Sequence, residues 1–252
     1  MRIFFLFFLS MNSFGNVFDH DHIQFTDILK KHTTQKDGQT WIDYRGLKYS
    51  TRAQLQNYLK ALSTIEENHF KTFTRDQKLA FLINAYNGFT IEWILLHYPV
   101  KSIKDTGTFL MNPWKKVIPG YKLLGKSFTL DNIEHDRIRV EFKEPRIHFA
   151  LNCASIGCPS LRPSAFTGKG LEKELSESEE SFFKNPRKFK VTDQKVHINS
   201  IFKWYGTDFE KKFGSLYSYI SNRSEFYGIA RGLSRKSLDI YFMDYDWSLN
   251  GI

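Results

Sequence analysis

The chain has 252 residues, 41% of them hydrophobic and 24 of them phenylalanine, enough to bury one substantial core. No Pro/Gly/Ser-rich linker divides it, so one domain is the simplest count. The net charge is +9, but the basic residues are scattered, with small clusters at 184–190, 211–212 and 231–236 and no interleaved basic and aromatic stripe, which argues against a nucleic-acid partner.

Met1 and Arg2 make a short positive start, Ile3 to Leu9 an apolar run rich in Phe, and Ser13-Phe14-Gly15 a small-residue cleavage site. Residues 1–15 therefore read as a secretory signal peptide cleaved after Gly15, and residues 16–252 as a single exported domain. The apolar run is far shorter than the ~20 residues that span a bilayer, so no membrane span is expected after cleavage. The expected location is periplasmic or secreted, and the basic balance favours an acidic, peptide or envelope-associated partner.

Next, Asp19-His20-Asp21-His22 has metal-ligand residue types but sits at what would be a mobile new N-terminus without further ligands at a recognised spacing. No metal and no cofactor is expected. Phe25 to Lys31 reads as a short helix, Trp41 to Tyr44 as extended, and Arg52 to Leu62 as an amphipathic helix. Thr74 is an N-cap candidate for a long segment that is apolar on nearly every face and stops before Pro99; it is predicted to be the central buried helix, with His97 as a C-terminal cap. Asn84 and Asn87 share one side of it, close to Gly88 and Glu92. Such a polar stripe faces either a site or a structural hydrogen-bond network.

Pro113 to Pro119 and Gly120 to Gly125 read as loop and hairpin, and Asp131 with Glu134 as a capping box opening a short helix. Arg146 to Cys153 is a strand candidate, followed by a polar helix over 169–184 with Leu171, Leu175, Phe182 and Phe183 on its buried side. A hairpin around Asp193, the aromatic segment 200–213, a helix near 215–221 and a strand at 238–243 complete the chain. The expected fold class is α+β: a helix-rich single domain with a small, mainly antiparallel sheet and a central buried helix. No Gly-rich phosphate loop, Gly-x-Ser-x-Gly elbow or His-Glu-x-x-His motif is present, which argues against nucleotide, serine-hydrolase and zincin chemistry.

Four stretches together resemble the domain of unknown function 547 family: Phe81-Leu-Ile-Asn-Ala-Tyr-Asn87, Ile133-Glu-His135 with Arg139, Pro145-Arg-Ile-His-Phe-Ala-Leu-Asn-Cys-Ala-Ser-Ile-Gly-Cys-Pro159, and Ser200-Ile-Phe-Lys-Trp-Tyr205 with Asp208-Phe209. The resemblance extends to Tyr98–Lys104 and to the closing Tyr245-Asp-Trp-Ser-Leu-Asn250, and so covers nearly the whole chain after residue 15. It implies an exported bacterial member of a family that also occurs as the C-terminal domain of larger eukaryotic proteins, some with a glutaredoxin-like domain. It implies no settled activity, so the chemistry has to come from the residues.

The two cysteines of the chain, Cys153 and Cys158, lie at the end of the strand candidate beside His148 and Asn152. If that stretch is a regular strand, His148 points away from Cys153, and His135, next to Glu134, is the better base for it. Cys158, followed by Pro159, is the other candidate nucleophile, favoured by backbone N–H groups of a helical turn and within reach of His148. Asn84, Asn87 and Asn152 would supply amide donors to an oxyanion or orient the imidazole, a task Glu134 would share unless it only caps its helix.

The leading expectation is a cysteine-dependent acyl-transfer enzyme on an amide or peptide. Its rivals are a noncatalytic disulfide-stabilised binding module of the cell envelope and a thiol–disulfide redox protein. A disulfide between residues 153 and 158 would close a short loop and stabilise by only about 2 kcal/mol in the chain-entropy model, a modest gain for a purely structural staple.

Overall fold

A computed structural model describes residues 18–192, 195–229 and 239–252. The expected signal segment, the turn at Asp193, the basic cluster 231–236 and Leu238 lie outside the described residues.

The fold is built around one helix. In α5 (Arg75–His97) Thr74 caps the first turn in a reciprocal box: its hydroxyl accepts from the Gln77 amide at 3.2 Å, and the Gln77 side chain accepts from the Thr74 amide at 2.9 Å. Every residue from Leu79 to Leu95 is buried. The helix is long and apolar enough to cross a bilayer, yet 94% of its most apolar stretch lies inside the fold, which makes it the core helix. It ends before Pro99, and His97 binds the Trp93 carbonyl at 2.8 Å in the last turn.

Around α5 pack α1 (Ile23–His32), α2 (Tyr44–Gly46), α3 (Arg52–Ser63) and α4 (Glu67–Thr72). Gly88 is where α3 comes closest, since a Cβ there would lie 2.9 Å from Leu59 Cδ2. One turn on, the buried Glu92 carboxylate is held by Arg52 at 2.9 Å and Gln56 at 3.1 Å. The stripe of Asn84, Asn87, Gly88 and Glu92 is thus a set of close approaches and ties to neighbouring segments. The stretch before α1 is anchored: Phe18 packs on Phe73 and Phe81, the Asp19 carboxylate accepts from the Ile23 amide at 2.8 Å, Asp21 pairs with Lys169, and buried His22 meets the Tyr58 hydroxyl at 2.8 Å. The expectation of a mobile N-terminus here is corrected by that packing.

The chain then runs through α6 (Arg139–Phe142) and α7 (Leu171–Lys184), which buries Leu171, Leu175, Phe182 and Phe183 as expected, and into α8 (Ile201–Phe213) and α9 (Leu216–Phe226). Two small sheets complete the α+β fold. In the first, β1 (Thr33–Lys36) pairs antiparallel with β2 (Gln39–Ile42). In the second, β3 (Phe189–Thr192) is antiparallel to β4 (Lys195–Ile198), which is parallel to β5 (Asp239–Phe242). The core has two parts, one around α5 and one of Phe149, Phe182, Phe183, Phe189, Phe202 and Phe209 among α7, α8 and α9, and the segment 147–151 bridges them.

Two local expectations are corrected. Arg146 to Cys153 is not a strand: Pro145–Phe149 coils as a 3-10 helix whose first turn is capped by the Glu144 carboxylate on the Arg146 amide, and no strand among the described residues pairs with it. The strand alternation that turned His148 away from Cys153 therefore does not apply. The capping box lies two residues earlier than expected. Asp131 is already helical and its side chain caps nothing; Thr129 and Asn132 exchange side-chain-to-backbone bonds of 3.1 Å each, and a wide π-helical run over Asn132–Ile138 leads into α6. That frees Glu134 from capping and buries it.

Candidate functional site

The cysteine loop is shaped by ties from distant segments. Asn87 donates to the Ala150 carbonyl at 2.9 Å and accepts from the Asn152 amide at 2.8 Å. Asn152 in turn donates to the Pro159 carbonyl at 2.8 Å and accepts from the Ala154 amide at 2.9 Å, closing the loop on itself, while Ala154 takes the left-handed conformation that the reversal needs (φ 63°). The C-terminal tail lies alongside: the Ile156 amide donates to Ser248 and the Gly157 amide to Asp246. A Cβ at residue 157 would sit 2.7 Å from the Tyr245 ring, so only glycine lets that ring close over the loop. From the other side Asn199 donates to the Gly157 carbonyl, and the buried Lys188 ammonium to that of Ile156.

Within this loop Cys153 and Cys158 are joined as a disulfide, so neither is a free thiol in this state. Cys158 is 2% exposed and Cys153 is half-buried. The Cys153 amide donates to the Cys158 sulfur at 2.8 Å, and the Tyr245 and Ser155 hydroxyls reach both sulfurs, at 3.3 and 3.5 Å from Cys158 and 3.3 Å each from Cys153. Burial pushes the Tyr245 phenol well above its usual range, so it stays a donor.

The disulfide forms part of the wall of a pocket of about 330 Å³. Six aromatic rings line it: Tyr86, Trp114, Trp204, Tyr205, Tyr245 and Trp247. Glu134, His135 and His148 reach the same space, which brings together the helix, turn and loop residues that the sequence had singled out separately.

Both imidazoles already have partners. His148 is buried, stacks on Tyr205 at 4.0 Å, donates from Nε2 to Asp208 at 2.9 Å and faces Glu134 with Nδ1 at 3.9 Å. Burial alone would raise the Asp208 carboxyl, but the hydrogen bonds from His148 and from Arg139, which chelates it at 2.7 and 2.9 Å, hold it far below the carboxylate range. Arg139 also donates to His135 Nδ1 at 3.1 Å, and because arginine can only donate, this puts the His135 proton on Nε2, 3.5 Å from Asp131. The hydrogen-bond partners of the two sulfurs are Ser155, Tyr245 and the Cys153 amide; neither His135 nor His148 is among them.

The amides, too, have other work. Asn84 binds both backbone groups of Phe166, at 2.7 and 2.9 Å, and none of Asn84, Asn87 and Asn152 lines the pocket. The structure uses them as backbone ties. Conversely Asp208, Tyr205, Tyr245 and the tryptophans were not singled out from sequence, although all but Trp114 stand inside the stretches that carry the family resemblance. Only the fold gives them a common purpose.

The family described as protein of unknown function, DUF547, matches residues 70–183, a span that holds α5, the Glu134 turn, His148 and both cysteines but stops short of Tyr205, Asp208 and Tyr245. No curated protein and no solved structure matches the chain. The match over residues 70–183 bears out the resemblance to the domain of unknown function 547 family.

Proposed function

We propose that this protein is an exported thiol–disulfide exchange protein that works through Cys153 and Cys158. The observation that carries the reading is the asymmetry of the two sulfurs. Cys153 is the accessible one, while the buried Cys158 sulfur alone accepts from the Cys153 amide, and the Ser155 and Tyr245 hydroxyls, within reach of both sulfurs, would add to the stabilisation of a departing thiolate. A thiolate from a small thiol or a partner cysteine attacks Cys153 Sγ, the Cys153–Cys158 bond breaks, and its electron pair leaves on Cys158. A second thiolate then attacks the mixed disulfide and releases Cys153. The balance is one protein disulfide and two thiols going to one protein dithiol and one external disulfide. Export past the proposed leader at residues 1–15 would place it where such disulfides persist.

The test is a redox titration of the purified protein in thiol/disulfide buffers, read by alkylation and mass. The expected midpoint lies above the roughly −300 mV below which structural disulfides fall. Tyr245→Phe should lower it by roughly 30–60 mV, the equivalent of losing one hydrogen bond to a thiolate. A midpoint below that limit, indifferent to Tyr245→Phe, would mark the disulfide as the staple of a noncatalytic binding module.

A second reading is favoured by the acid–base groups that exchange does not use: Glu134, His135 and His148, the last bound to Asp208 behind it, border the same pocket. In the reduced protein one of the cysteines would attack an amide or peptide carbonyl, with His135 or His148 giving up a present partner to serve as base. Acylation of the reduced protein by an activated ester, lost in His148→Gln while the midpoint stays put, would select this reading.

A further inference from the structure

The most exposed apolar side chains of the described residues sit together on one hairpin. Thr108 and Met111 exchange two backbone hydrogen bonds, at 3.0 and 3.2 Å, which leaves Phe109 and Leu110 as the two residues of the tip. Phe109 is 104% exposed and Leu110 91%, with Met111 and Val117 half-exposed behind them. Single apolar residues on a surface need no explanation, but a contiguous apolar tip does.

The tip is presented on a firm base. The Gly107 amide binds the Lys104 carbonyl at 3.0 Å, a Cβ on Gly107 would lie 2.8 Å from Pro113, Lys116 donates to the Thr106 carbonyl at 2.8 Å, and Trp93 donates to the Thr106 hydroxyl at 2.7 Å. In the flanking sequence Lys101, Lys104 and Lys115 are exposed and have no carboxylate partner among the described residues; Lys104 lies over the Trp247 ring at 3.8 Å, and the nearby exposed acids are Asp105 and Asp246.

An apolar tip flanked by exposed cations is complementary to a surface that is apolar below and anionic above. We propose that the Phe109–Leu110 hairpin seats this protein on an anionic phospholipid bilayer, with the two tip side chains below the headgroups and Lys101, Lys104 and Lys115 at phosphate level. Lys104, Asn112 and Trp114 of the same segment also line the aromatic pocket, so seating sets that pocket beside the membrane. This reading is independent of the chemistry proposed for the disulfide.

Flotation of the full chain with phosphatidylcholine vesicles, with and without phosphatidylglycerol, tests it. Binding is expected to need the anionic lipid and to weaken with salt. Phe109→Ser with Leu110→Ser should reduce the vesicle partition coefficient about 100-fold, roughly tenfold for each side chain. Their exposure means that the double variant should melt as the parent does. Lys115→Ala should cost about fivefold. Parent and variants share one N-terminus, so any contribution of residues 1–15 cancels. Absence of anionic-vesicle binding, or binding unchanged in the double variant, overturns the proposal. So does a double variant that only turns a dimer into a monomer.

Discussion

Asn87→Ala is the sharpest probe of how the cysteine loop is held. The side chain is 2% exposed and makes two bonds to the backbone, to the Ala150 carbonyl at 2.9 Å and from the Asn152 amide at 2.8 Å. Both partner residues are buried as well, so water cannot readily replace the amide. Orphaning a buried backbone group costs about 1–3 kcal/mol, and two of them give roughly 2–6 kcal/mol. That is a large share of the roughly 5–15 kcal/mol that holds a domain together.

Asn84→Ala breaks an equivalent pair, at 2.7 and 2.9 Å, but with Phe166, away from the cysteines. The two variants should therefore lose similar stability in urea titrations of the oxidised protein, followed by its five tryptophans. Only Asn87→Ala should also speed native-state reduction of the disulfide by a small dithiol. A stability loss below about 0.5 kcal/mol, the range of ordinary surface substitutions, would refute the tie. Equal acceleration of reduction in both variants would refute its local action.

Two further outcomes follow from buried charge. Burial pushes the Lys188 ammonium down to about 7, against about 10.4 in an unfolded chain. Between those values the unfolded chain binds a proton that the folded one does not, so stability should rise with pH across this window, by up to about 1.4 kcal/mol per unit, and be lowest below it. Urea titrations across the window should show that slope in the parent and lose it in Lys188→Met; an identical slope in both would assign it elsewhere. Arg52→Ala strands the Glu92 carboxylate, whose side chain is 2% exposed, and should cost about 2–4 kcal/mol. In a Glu92→Gln background the same change should cost much less, and a double-mutant cycle with no coupling would dismiss the pair.

Much of this was legible in the sequence because its causes are local. The cap at Thr74, the apolar run to Leu95, the amphipathic helices and the hairpin before α8 each depend on residues within a few positions of one another. The sequence also singled out Cys153, Cys158, His135, His148 and Glu134 as site candidates, together with Asn84, Asn87 and Asn152, but only the fold sets the first five, and not the asparagines, around one pocket. The sequence did not determine the backbone between Arg146 and Cys153. An apolar run reads as a strand only if a neighbouring strand satisfies it, and here the partner at its far end is the Asn87 side chain, 63 to 65 residues away in the chain.

The pocket itself is a tertiary product. Trp204 and Tyr205 come from α8, Tyr245 and Trp247 from a tail that pairs with the cysteine loop, and no periodicity records that such segments will meet. Tertiary structure also decided that the two sulfurs lie within bonding reach of each other. Spacing left open whether they would meet, and their pairing follows from the loop reversal at Ala154 and the backbone ties that bring Cys158 back against the Cys153 amide.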